Sequence, residues 1–117
     1  MMQQALRLVL LAATLWVAPV YAEPAQVVLV AELPVEARET FQHIRQGGPF
    51  SYARDGVEFR NYERHLPRQP RGYYHEYTVK TPGVKSRGAR RIVCGPLPEC
   101  YYTADHYRHF KRIRESE

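Results

Sequence analysis

Of the 117 residues only two are cysteine, Cys94 and Cys100, and only one is tryptophan, Trp16. The two cysteines are separated by five residues and lack two further ligands at a recognisable spacing, so no metal or other cofactor is expected. The one apolar run free of charge, LVLLAATLWVAPV at 8–20, falls short of the roughly 20 residues of a membrane span and contains Pro19. Internal repeats and low-complexity segments are absent. So is a long amphipathic helix with a basic face, which places a membrane-active cationic protein last among the function classes. Acidic residues are the minority, 12 against 17 basic.

Arg7, the apolar run and the small-residue end VYA have the order of a secretory leader, with cleavage expected after Ala22. The expected organisation is therefore a signal peptide at 1–22 and one secreted domain at 23–117. Cleavage would remove Trp16 and the single charge of Arg7, leaving 95 residues, 16 basic against 12 acidic, and a net charge of +4. A small exported basic domain suits a polyanion, whether RNA, DNA, an acidic sugar or an anionic membrane. It buries a modest core and gains from a staple. An oxidising compartment favours a Cys94–Cys100 disulfide across CGPLPEC; two free thiols are the rival reading.

After a short apolar stretch at 23–32 that could add an edge strand, residues 33–48 suit a helix. Pro34 fits the first turn, Glu36 and Glu39 the N-terminal half, and Gly47 and Gly48 the stop. Ala37, Phe41 and Ile44 fall on one face. His43 is read as a surface residue and the tail KRIRESE as frayed. Five strand-like runs follow, at 57–61, 72–80, 89–95, 99–103 and 107–113, divided by turn-rich stretches. A helix followed by consecutive strands predicts an α+β domain: one N-terminal helix packed on a five-stranded antiparallel β-sheet, with the other sheet face open.

GYYHEYTV at 72–79 is the most strand-like run, yet it carries Glu76 at its centre. Alternation puts Tyr74, Glu76 and Thr78 on one face and Tyr73, His75, Tyr77 and Val79 on the other. Arg91 and Val93 share a face opposite Arg90, Ile92 and Cys94. His106 and His109 differ in parity within the last run and should diverge. One open face could then gather Glu76, Arg91, Arg87 and His106. A carboxylate can accept a proton, a histidine can donate one near neutrality, and two guanidinium forks match a phosphate. Those parts cleave a phosphodiester without a metal. A surface ion pair of Glu76 with an arginine, beside a solvated His106, remains the alternative.

DGVEFRNYE, GYYHEYTVKTPG, SRGARRIVCG and YYTADHY, in this order, resemble the guanyl-specific microbial ribonucleases, the family of barnase and ribonuclease Sa, and most of all its ribonuclease Sa branch. The resemblance runs from about Leu33 to Phe110. It implies the microbial ribonuclease fold and a secreted endoribonuclease that cuts single-stranded RNA 3′ to guanosine. The general base falls on Glu76, the general acid on His106, and the phosphate-binding arginines on Arg87 and Arg91. The guanine-recognition loop falls on FRNYE: Glu63 as acceptor for guanine N1 and N2, backbone N–H groups around Arg60, Asn61 and Tyr62 for O6 and N7, and Phe59 and Tyr107 for stacking or apolar contact.

The chain departs from the ribonuclease Sa branch in two places. A disulfide joining the two chain ends is replaced by the local cysteine pair, and Tyr62 stands where that branch has arginine. The resemblance further implies a barstar-like inhibitor protein as partner; a monomer and no membrane contact of the mature form are also expected, and the leader implies a periplasmic or extracellular location. A non-catalytic RNA- or polyanion-binding module on the same scaffold is the competing function. His65, His75 and His109 are read as surface or structural residues, and Tyr73, Tyr74, Tyr101 and Tyr102 as sheet packing.

Overall fold

A computed structural model describes residues 12–13 and 21–116. Most of the expected leader, including Trp16, lies outside the described residues. The elements are β1 (Val27–Leu29), a 3-10 turn (Val30–Glu32), α1 (Val35–Gln46), β2 (Val57–Phe59), β3 (Tyr74–Thr78), β4 (Arg91–Cys94), β5 (Cys100–Thr103) and β6 (Lys111–Arg114).

Helix α1 forms where Ala37, Phe41 and Ile44 recur at helical spacing, and all three are buried. Pro34 sits just outside as the N-cap residue rather than in the first turn. Gly47 closes the helix in the left-handed conformation at φ +80°, which costs glycine no steric penalty. The N–H of Gly48 reaches back to the His43 carbonyl at 2.8 Å. His43 is exposed, as expected of a surface residue.

The sheet has the order β1-β6-β5-β4-β3-β2. Strands β2 to β6 form the expected five-stranded antiparallel meander. The apolar stretch before the helix does supply an edge strand: β1 runs parallel to β6, with Val28 beside Ile113, so the sheet is mixed and six-stranded. The tail is also less frayed than expected. Residues 111–114 are strand β6, because Ile113 is drawn into the core and Arg45 of α1 hydrogen-bonds Glu115.

Alternation divides the sheet between two apolar clusters. Leu33 and the α1 face pack on Val79, Ile92, Tyr102 and Ile113, with the Cys94–Cys100 disulfide among them. The opposite face is not left open: Leu66, Tyr74, Val93, Tyr101 and Phe110 cover part of it. Strand β4 is therefore buried on both sides along its whole length. Tyr74, Tyr101 and Tyr102 pack in the sheet as expected. Tyr73 departs from its predicted face, because it precedes β3; its ring turns edge-on to Tyr74 at 4.8 Å. The hydroxyls of Tyr73 and Tyr101 both donate to the Glu99 carboxylate, at 2.6 and 2.9 Å, so these rings are packed without stranding their polar ends.

Cys94 and Cys100 are direct neighbours across the β4–β5 hairpin, with Cα atoms 4.1 Å apart. The loop they close is short, so the chain-entropy model assigns the bond roughly 2 kcal/mol. Replacing both cysteines by alanine should lower unfolding free energy by about that amount in a urea titration while leaving the far-ultraviolet spectrum unchanged.

Candidate active site

Strand β3 projects Tyr74, Glu76 and Thr78 to the face away from α1. Pairing sets their neighbours: Thr78 stands opposite Arg91, and Arg91 opposite Thr103, so these three share that face. Glu76 is flanked by Val57 and Val93 and is only 8% exposed. The charge at the centre of the aromatic strand thus points to a partly covered polar cluster, not to open water.

Tyr107 organises the cluster. Its hydroxyl donates to Glu76 Oε2 at 2.7 Å and accepts from Arg91 Nε at 3.2 Å. Burial pushes the Tyr107 hydroxyl up from its ordinary value, and its bond to the Glu76 carboxylate adds to the effect. Arg91 is buried, with Nη1 donating to the carbonyls of Gly88 and Arg90 at 3.0 and 2.7 Å. Arg87 donates twice to Thr78 Oγ1, at 3.1 and 2.8 Å, and its Nη2 lies 3.7 Å from Glu76 Oε1. The turn carrying Arg87 needs Gly88: its φ is +67°, and a Cβ there would meet Thr81 Oγ1 at 2.5 Å.

His106 lies not in a strand but in a loop at 104–110, where His106 and Tyr107 are both left-handed, at φ 54° and 70°. The parity argument for His106 and His109 therefore fails. Asp105 and Thr103 capture the backbone that would have extended β6: Thr103 Oγ1 accepts the Tyr107 N–H at 3.2 Å, and Asp105 Oδ1 accepts the His109 N–H at 2.9 Å. The loop returns across the Glu76 face, tied by the His106 N–H to the Ala89 carbonyl at 2.9 Å. The exposed His106 ring stands 4.8 Å from the Tyr107 ring. The Tyr107 hydroxyl thus joins the Glu76 carboxylate to the Arg91 guanidinium, Arg87 approaches the other oxygen of Glu76, and the His106 ring flanks the Tyr107 ring. His109 is exposed and pairs with Asp105.

The recognition-loop residues border a cavity of about 340 Å³, lined by 58–63 and by His65, Glu76 and Tyr107. Asn61 is buried at φ 57° and exchanges two hydrogen bonds with the Leu66 backbone, at 2.9 and 3.1 Å. Both polar atoms of its side chain are engaged in holding the loop. Arg60 bonds the Tyr62 hydroxyl at 2.8 Å, and Tyr62 is 77% exposed. Phe59 stacks on Tyr107 at 5.2 Å. Glu63 contacts His65 Nε2 at 3.2 Å. A hollow of about 390 Å³ between α1 and residues 49–55 contains none of the candidate acid, base or guanidinium groups, so volume alone does not locate the site.

Three contributors escaped the sequence reading: the Tyr107 hydroxyl, Thr78 as the holder of Arg87, and Asp105. Thr78 shares parity with Glu76, a signal that was present. Left-handed backbone at 106–107 has no comparable mark in the residue types.

With this geometry in view, a family model described as ribonuclease matches residues 19–114, and the chain belongs to that family. Among its relatives, guanyl-specific ribonuclease Sa of Kitasatospora aureofaciens is 51% identical over 90 residues, covering 76% of this chain and 94% of the relative. Guanyl-specific ribonuclease Sa3 of the same organism is 54% identical over 87 residues, covering 74% of this chain but only 62% of that longer relative. The solved structure of ribonuclease Sa2 in complex with mononucleotides is similar with a TM-score of 0.75 and 46% identity, covering 79% of this chain and 97% of that one. The fold, one helix on an antiparallel meander extended by β1, matches that of ribonuclease Sa2.

Two outcomes test this geometry. Tyr107→Phe keeps the ring but removes the hydroxyl's bonds to both Glu76 and Arg91; RNA cleavage should fall about 100-fold, equivalent to losing roughly 3 kcal/mol in two hydrogen bonds to charged groups. Burial raises the Asp105 carboxyl, but hydrogen bonds from His109 and Thr103 outweigh it and hold the group at about 2 against an ordinary 3.8. Its folded value is depressed, so its contribution is present above 3.8 and disappears as pH falls through about 2. Between those pH values the thermal midpoint should fall further in the native protein than in Asp105→Asn.

Proposed function

We propose that this protein is a guanyl-preferring endoribonuclease that cuts single-stranded RNA on the 3′ side of guanosine. The observation that carries the reading is contiguity: Glu76 and Tyr107 belong both to the recognition-loop cavity and to the cluster of Arg87, Arg91 and His106. A base held in the cavity places its own 3′-phosphate beside the proton-transfer groups. The names of the guanyl-specific relatives support the same base preference.

Glu76 takes the proton from the ribose 2′-OH, and the 2′-oxygen attacks the adjacent phosphorus. The bond to the 5′-oxygen breaks, and His106 protonates that leaving oxygen. Arg87 and Arg91 stabilise the charge on the phosphoryl oxygens. The products are a 2′,3′-cyclic phosphate and a free 5′-OH. Water then opens the cycle with the roles reversed: neutral His106 takes a proton from water, and protonated Glu76 returns one to the 2′-oxygen. DNA lacks the attacking hydroxyl. Glu63 selects guanine through N1 and N2, while Phe59 and the backbone of Arg60, Asn61 and Tyr62 complete the base site.

The leader-like N-terminus and the Cys94–Cys100 bond suit export to an oxidising compartment, periplasmic or extracellular. A monomer that meets a barstar-like inhibitor in the producing cell fits this reading.

The test is cleavage of GpN, ApN, CpN and UpN dinucleotides in chelator. GpN should be cut fastest, with a bell-shaped dependence on pH. Glu76→Gln and His106→Ala should each lower the rate by about 10² to 10⁴. Equal rates for the four dinucleotides would remove the guanine preference. RNA that is bound but left intact by the native protein would instead identify a non-catalytic binding module.

A further inference from the structure

The carboxylate assigned to base selection stands on the rim, not in the core. The Glu63 side chain is 70% exposed, and its one recorded polar partner among the described residues is His65, whose Nε2 lies 3.2 Å from Oε2. His65 is itself braced. Its ring lies 6.4 Å from that of Phe110, which is buried in the apolar cluster behind the cavity. Between them, Arg64 is left-handed at φ 60°, which swings the side chains of 63 and 65 together. The Asn61–Leu66 bonds fix both ends of this turn. The basic side chain that also lines this cavity, Arg60, is engaged elsewhere, with Tyr62 and at 4.0 Å with Glu58.

We propose that His65 is a positioning residue for base selection: it transmits the rigidity of Phe110 to Glu63 and holds that carboxylate toward the cavity. This rests on the reading of Glu63 as the guanine acceptor. An unrestrained glutamate samples many rotamers. An acceptor that must meet two N–H groups on one base edge binds more weakly while it does so, and restraint recovers the loss. His65 touches none of the reacting atoms, so its effect belongs to binding of the base and not to the proton transfers. Exposed pairs of this kind are worth little, which bounds the effect at about 5-fold.

The experiment compares His65→Leu, His65→Gln and Glu63→Gln in steady-state cleavage of GpN and ApN. His65→Leu keeps apolar contact with Phe110 but removes the donor. It should raise KM for GpN about 3-fold, leave kcat unchanged and leave ApN untouched. His65→Gln keeps an N–H donor and should restore most of the native KM. An unchanged GpN KM in His65→Leu, or equal losses on GpN and ApN, would overturn the inference. Glu63→Gln separates the two layers. If it abolishes the preference for GpN while His65→Leu does nothing, only the role of His65 falls. If it leaves the preference intact, the reading of Glu63 falls and this inference with it.

Discussion

A buried carboxylate needs partners, and nearly everything distinctive in this chain supplies them to Glu76. One face of a five-residue strand presents it, a tyrosine from a distant loop donates to it, and an arginine from another loop approaches its second oxygen. The Tyr107 hydroxyl is the keystone, because it is the atom through which Glu76 and Arg91 meet. Its position depends on a loop shaped by Asp105 and Thr103, and on the stacking of Phe59 behind its ring. The candidate proton-transfer groups and the 59–63 loop are thus mechanically joined: Phe59 ends the strand that opens into that loop, and it also stacks on the tyrosine that holds the candidate base.

The scaffold explains how so small a sheet can carry two buried charged residues. Strand β4 is covered on both faces, by the α1 cluster on one side and the Tyr74–Tyr101–Phe110 cluster on the other. Burying Arg91 in such a strand is tolerable because its guanidinium finds two backbone carbonyls and a phenol at hydrogen-bonding distance. The disulfide closes the far end of the same hairpin, away from the site. A staple across adjacent strands stiffens β4 and β5 locally; it does not connect the chain ends.

Much of this arrangement was legible in the residues, for physical reasons. Period-two alternation placed Glu76, Thr78, Arg91 and Val93 on one face, and helical spacing placed Ala37, Phe41 and Ile44 on one core-facing stripe. The motif resemblance pointed to His106 and to the 59–63 loop, which alternation could not reach. What stayed hidden was set by side chain-to-backbone bonding. The aromatic run at 107–113 has strand composition, yet its first half is a loop because Thr103 and Asp105 claim its N–H groups. Parallel pairing of β1 with β6 was equally invisible, since Val27–Leu29 has no sequence mark for its partner strand. His65 read as an ordinary surface histidine, because only the left-handed turn at Arg64 brings it against Glu63.

The union of base cavity and proton-transfer cluster is open to one direct measurement: a crystal structure of the protein with guanosine 3′-phosphate bound. The base is expected in the cavity bordered by residues 58–63, with its edge on Glu63. The phosphate is expected within hydrogen-bonding distance of Arg87 and Arg91, between Glu76 and the His106 imidazole. A nucleotide whose base sits in that cavity while its phosphate lies out of reach of both arginines would contradict the shared site.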